Sequence, residues 1–82
     1  MQIVRIMEGQ RFALDSFGNG WAYALRKINP LKSVWVQDDD ATQFREELDA
    51  LETTRPNDSP DAILGALWSD FEYGSLARGE EN

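Results

Sequence analysis

Apolar and polar residues alternate in short runs over the first 37 positions, and apolar residues then recur every three to four positions as far as Phe71. A change of period from two to 3.6 predicts strands followed by helices. Residues 3–7 (IVRIM) form a branched run that Glu8-Gly9 stops. In residues 11–15, Phe12 and Leu14 share one side. Asn19-Gly20 suits a tight hairpin, because both positions tolerate positive φ. The expected return strand, residues 21–25, puts Trp21, Tyr23 and Leu25 on one face and two alanines on the other. Asn29-Pro30 marks the next turn. In residues 33–37, Val34 and Val36 point one way and Trp35 the other. The expected product is an antiparallel meander of three to four strands.

Helical signals begin at Asp40, where Asp40-Ala41-Thr42-Gln43 has the form of a capping box. At 100° per residue, Ala41, Phe44, Leu48 and Leu51 share a face, with Asp39, Glu46 and Asp49 opposite and Glu47 and Glu52 on the flanks. This helix should end near Thr53-Thr54. Arg55-Pro56-Asn57-Asp58 reads as a linker, and Ser59-Pro60 as a second start with a serine cap and proline at the first helical position. Ile63, Leu64, Leu67, Trp68 and Phe71 follow at helical spacing, with Gly74 as the stop. Phe12, Phe44, Trp68 and Phe71 are the expected aromatic core. The fold class is therefore α+β, an antiparallel meander with two helices packed on one face. Residues 1–74 form one domain, and residues 75–82 a flexible tail with little apolar content beyond Leu76.

Composition narrows the chemistry. An 82-residue chain has room for one small core and little volume for an enclosed active site. It contains no cysteine and no histidine. That removes disulfides, thiolate metal sites, the thiol nucleophile and the commonest general base, and it fits a reducing cytoplasm. A carboxylate pair doing acid–base work would need a dry pocket to raise one pKa, so the protein reads as non-catalytic and without a cofactor. Counting a calcium loop from Asp38 places Gln43 at the glycine position and Asp49 at the terminal glutamate, so the pattern fails and no metal site is expected. No stretch approaches the length of a membrane span, and Arg5 interrupts the only apolar run near the start, which reads as a strand and not a signal peptide.

Charge then points to a partner. Residues 1–37 hold five basic groups against two acids, whereas residues 38–82 hold three against thirteen, for a net −7. Such a field favours cationic partners and opposes direct contact with nucleic acid. The candidate binding residues are Asp38, Asp39, Asp40, Glu46, Glu47, Asp49 and Glu52, with Asp58 and Asp61 expected near the same end or edge of the helix pair. An acidic outer face is also what any solvated amphipathic helix presents. What favours use is the scarcity of cations among these acids, with only Arg45 and Arg55 nearby. Carboxylates one turn apart lie about 5–6 Å apart, close to the spacing of phosphates, so a row of them suits a groove built for DNA or RNA. Trp35 offers an alternative: on an open sheet face beside Arg26 or Lys27 it would form an aromatic-basic patch for protein contacts.

The strand of residues 33–37 running into Asp38-Asp39-Asp40, followed by the Glu46-Glu47-x-Asp49 helix, resembles the layout of small acidic anti-defence proteins encoded by phages, in particular anti-CRISPR proteins. The resemblance is one of architecture across most of the chain. It implies a stoichiometric inhibitor in the host cytoplasm whose acidic side chains occupy the nucleic-acid groove of a partner such as a CRISPR-Cas complex.

Overall fold

Alternation along four strands decides which side of the sheet becomes the core. The computed structural model describes residues 2–29 and 31–79. Strands β1 (Ile3–Glu8), β2 (Phe12–Phe17), β3 (Ala22–Lys27) and β4 (Lys32–Gln37) form an antiparallel meander in chain order. Leu14 faces Leu25, which faces Val34, and Tyr23 faces Val36. With Phe12 these residues line the side covered by the helices. The opposite side carries the rows Asp15–Ala24–Trp35 and Phe17–Ala22–Gln37. The pairing of β1 with β2 shifts between Arg5 and Met7, so Arg5 stays opposite Asp15 while Met7 meets Leu14 and packs on the core.

Helices α1 (Asp39–Thr54) and α2 (Pro60–Ser69) close that core with Ala41, Phe44, Leu48 and Leu51 from the first and Ile63, Leu64, Ala66 and Leu67 from the second. The architecture is α+β, as the change of period predicts. Ser59 caps α2 by accepting from the Ala62 N–H at 3.2 Å, with Pro60 at the first helical position.

Several local expectations are corrected. The first helix begins at Asp39, with Asp38 at the N-cap position and without a side-chain cap bond, so no capping box forms at Asp40. The chain must reverse within one residue after β4, which puts Asp38 at φ 56°, ψ −128°. Its carbonyl, not its carboxylate, meets the helix, accepting from the Thr42 N–H at 3.2 Å. The β2–β3 turn uses four residues, with positive φ at Gly18, Asn19 and Gly20. Trp21 thus lies in the turn, and its ring meets Trp35 on the side away from the helices, not Tyr23 and Leu25. Helix α2 ends at Ser69, which leaves Phe71 exposed instead of buried.

Beyond α2, a 3₁₀ turn (Tyr73–Leu76) leads into a two-residue strand, β5 (Arg78–Gly79), that pairs with Lys32 and Ser33 of β4. Within the expected tail, Ser75 and Leu76 complete the 3₁₀ turn and residues 78–79 pair with β4; residues 80–82 lie outside the described residues, as does Pro30 of the expected Asn29-Pro30 turn. Gly74 is no helix stop but a close approach: a Cβ there would stand 2.4 Å from the Trp68 indole nitrogen. Trp68 in turn packs on Phe12, centroid to centroid at 5.8 Å.

Candidate functional site

The first turns of α1 direct Asp39, Asp40, Gln43, Glu46 and Glu47 outward, because Ala41 and Phe44 occupy the buried stripe between them. Asp39, Gln43, Glu46 and Glu47 line an open groove of about 530 Å³ whose far wall is Phe71. Gln43, Glu47 and Phe71 also line an adjoining hollow of about 270 Å³, completed by Asp40, Glu72, Tyr73, Leu76 and Trp35. The two share walls, so one groove runs from the outer face of α1 to the edge of β4. Five carboxylates surround it, and no lysine or arginine is among the described lining residues. Its apolar side comprises Trp35, Phe71 and Leu76, with 49%, 39% and 65% of their surface exposed.

Tyr73 ties the groove together. Its ring packs edge-on against Phe44 at 5.1 Å, and its hydroxyl donates to Glu47 Oε1. Burial and then the Glu47 carboxylate push the Tyr73 hydroxyl well above its ordinary pKa, so it remains a donor that holds Glu47 in place.

The expected site residues divide. Asp39, Asp40, Glu46, Glu47 and Trp35 converge on this groove, which joins the acidic helix to the aromatic that sequence reasoning set on a separate surface. Asp38 is the junction residue beside them. Asp49 is engaged by Arg45 at 3.1 Å on the same helix. Glu52 lines a smaller hollow with Arg55 and Asp58 near the other end of α1, which is about 24 Å long. Asp61 is not at the acidic end either. Its carboxylate accepts from the backbone N–H groups of Gln10, Arg11 and Phe12 at 3.0, 2.9 and 3.1 Å and clamps the β1–β2 turn to α2. Those bonds, Arg11's foremost, hold it below the usual carboxylate range. Gly9 is required there, since a Cβ would lie 2.1 Å from Asp61 Oδ1.

Sequence reasoning missed Phe71, Glu72, Tyr73 and Leu76. No residue type there announces the turn, since Glu72 takes φ 63° without being glycine or asparagine, and only the 3₁₀ turn brings the segment beside α1. No group of three or more carboxylates among the described residues is arranged to hold a metal ion, and no helix there is long and apolar enough to cross a membrane.

The second surface is the uncovered face of the sheet. Phe17, Trp21 and Trp35 cluster on it, with ring centroids 4.7 Å and 6.3 Å from Trp35. The Trp35 indole N–H donates to Gln37 Oε1 at 2.8 Å. Farther along the same face Asp15, only 5% exposed, accepts from Arg5 and from Arg26, the latter at 3.1 Å. Burial alone would raise its pKa; the two guanidinium groups outweigh that and hold it below the ordinary value.

Comparison of the chain with protein-family models, with curated proteins and with solved structures finds no match.

Proposed function

We propose that this protein is a non-catalytic stoichiometric inhibitor acting in the cytoplasm, whose acidic groove takes up a basic surface of a nucleic-acid-handling protein. The observation that carries the reading is the set of five groove carboxylates, with no cation among the described lining residues, beside an apolar wall. Asp39-Asp40 and Glu46-Glu47 are two turns apart on α1, about 10.5 Å along the axis, close to three base-pair steps of about 3.4 Å. Carboxylates at that interval can follow arginines and lysines spaced for phosphates, while Trp35 and Phe71 supply stacking surfaces for guanidinium groups. A phage-encoded inhibitor of a CRISPR-Cas complex is the form that the resemblance favours. Nucleic acid itself, a membrane and a cofactor have no part in this reading.

The test is capture of partners from host lysate by the full chain, followed by affinity measurement at low and high salt. Replacing Asp39 and Glu46 together by lysine should weaken binding at least tenfold, as should raised salt. Affinity unchanged by both treatments would sink the proposal. A second reading, an interaction or assembly module using the sheet face around Trp35, is favoured by the exposed aromatic cluster. It expects binding to fall on Trp35→Ala with little dependence on salt.

A further inference from the structure

The hollow at the β4 end of the groove is built differently from the acidic face of α1 that leads into it. Aromatic rings from Trp35, Phe71 and Tyr73 form its walls, and the carboxylates of Asp40, Glu47 and Glu72 stand among them. Two of the rings are held from behind. Trp35 packs on Phe17 with centroids 4.7 Å apart and donates its indole N–H to Gln37. Tyr73 lies edge-on against Phe44 and donates its hydroxyl to Glu47. The acceptors, by contrast, are not filled. Among the described residues no arginine or lysine pairs with Asp40, Glu47 or Glu72, and the bond from Tyr73 occupies one oxygen of Glu47. At about 270 Å³ the space equals about nine waters of about 30 Å³ each. That holds one long side chain and excludes a helix, which is about 10 Å across.

We infer that this hollow is a socket for one arginine side chain of the partner, the anchor about which the rest of the groove aligns. The inference deepens the groove reading and rests on it. Each wall selects the occupant. Aromatic faces attract a cation, most readily one that is planar, delocalised and weakly hydrated, which describes guanidinium and not the ammonium of lysine. The carboxylates then choose among cations that aromatic rings alone would accept. A quaternary ammonium, the usual guest of an all-aromatic cage, has no N–H to give them, whereas guanidinium presents five donors. Those acceptors come from two elements, Asp40 and Glu47 from α1 and Glu72 from the residue before the 3₁₀ turn, which suits a fork of donors better than a point charge. Because the walls around Trp35 and Tyr73 are already fixed, filling the socket costs little ordering on this side of the interface. A cationic partner supplies the arginine more readily than a second copy of this chain, which carries −7.

The experiment is an NMR titration of the isotope-labelled full chain with capped peptides Gly-Ser-X-Ser-Gly, where X is arginine, lysine, trimethyl-lysine or citrulline, the last an uncharged mimic of arginine. A side chain of seven heavy atoms binds with a Kd of about 1 mM, so the series runs to about 10 mM. The arginine peptide should shift the Trp35 indole N–H and the backbone signals of residues 71–76, and saturate. The lysine and trimethyl-lysine peptides should bind at least about fivefold more weakly, and citrulline not at all. Glu72→Gln and Phe71→Ala should each weaken the arginine peptide at least about threefold, whereas Glu52→Gln, at the other end of α1, should not. Residues 71 and 72 are both exposed, and unchanged spectra elsewhere establish that the variants fold.

Arginine and lysine peptides of equal affinity overturn the socket; if their shifts follow residues 39–47 and vanish at high salt, the groove reading stands without it. Tighter binding of trimethyl-lysine overturns it in favour of a cage for quaternary ammonium. Arginine binding that neither Glu72→Gln nor Phe71→Ala weakens overturns it as well, as do shifts confined to Phe17 and Trp21. So does the absence of any shift, and the double reversal at Asp39 and Glu46 on the captured partner then decides the groove reading separately.

Discussion

Asp15 carries much of what individual residues contribute here. It is an acid inside an alternating strand, nearly buried on the side of the sheet that has no helices, and two arginines from neighbouring strands make that position tolerable. Its folded pKa lies below the unfolded one, so its contribution is complete above the unfolded value of about 3.8 and disappears as pH falls through the folded value. Thermal stability should therefore fall as pH drops below about 4, and Asp15→Asn should flatten that fall while costing about 1–3 kcal/mol at pH 7; the magnitude is reduced because Arg5 reaches water. Calorimetry across pH checks both statements. Asp38 gives the opposite sign. Its backbone sits in a region that only glycine occupies without strain, and its carboxylate caps nothing, so Asp38→Gly should raise stability by about 1 kcal/mol, read as a higher melting temperature. Asp61→Ala should speed amide exchange at Gln10, Arg11 and Phe12 selectively, because those N–H groups lose their acceptor. Uniform exchange over the domain would remove the clamp from this account.

At the scale of elements, the two periods carried most of the information. Four strands, the apolar stripe of α1 and the Ser59-Pro60 start of α2 follow from alternation, 100° spacing and cap chemistry, all local rules. What escaped is equally instructive. Phe71 continues the helical spacing of α2 yet lies beyond its end, because Asp70 is the last cap and Glu72 turns to φ 63°. Leu76 and Arg78 carry no strand signal; their segment is placed by the indole of Trp68 lying on Gly74 and by pairing with Lys32 and Ser33. Gly74→Ala should therefore cost about 1–3 kcal/mol through overpacking and should loosen the Tyr73–Glu47 bond as well. The check is a denaturant titration paired with the NMR signals of residues 73–79. Loss of stability with those signals unchanged would separate the two effects.

For the whole molecule, the consequence is a division of labour between faces. The acids expected along one helix are sorted by the fold: Asp39, Asp40, Glu46 and Glu47 line the groove, Asp49 is engaged by Arg45, and Glu52 belongs to the other end. The charge-bearing side should respond strongly to salt and the compensated sheet face weakly. Glu52→Lys, outside the groove, should change partner affinity far less than the Asp39–Glu46 double reversal, and titration calorimetry on the captured partner distinguishes them. Equal losses would mean that net charge and not the groove governs binding. Element types, the core stripe and the segregation of acid into the second half are legible along the chain, because these depend on residues a few positions apart. Contacts between distant segments are what bring Trp35 and Phe71 to the groove lined by the acids of α1, make Asp61 a clamp and put Trp21 on the outer face. Those placements depend on where each helix ends and how each turn reverses, and a shift of one residue at either moves a side chain to the other side of the sheet.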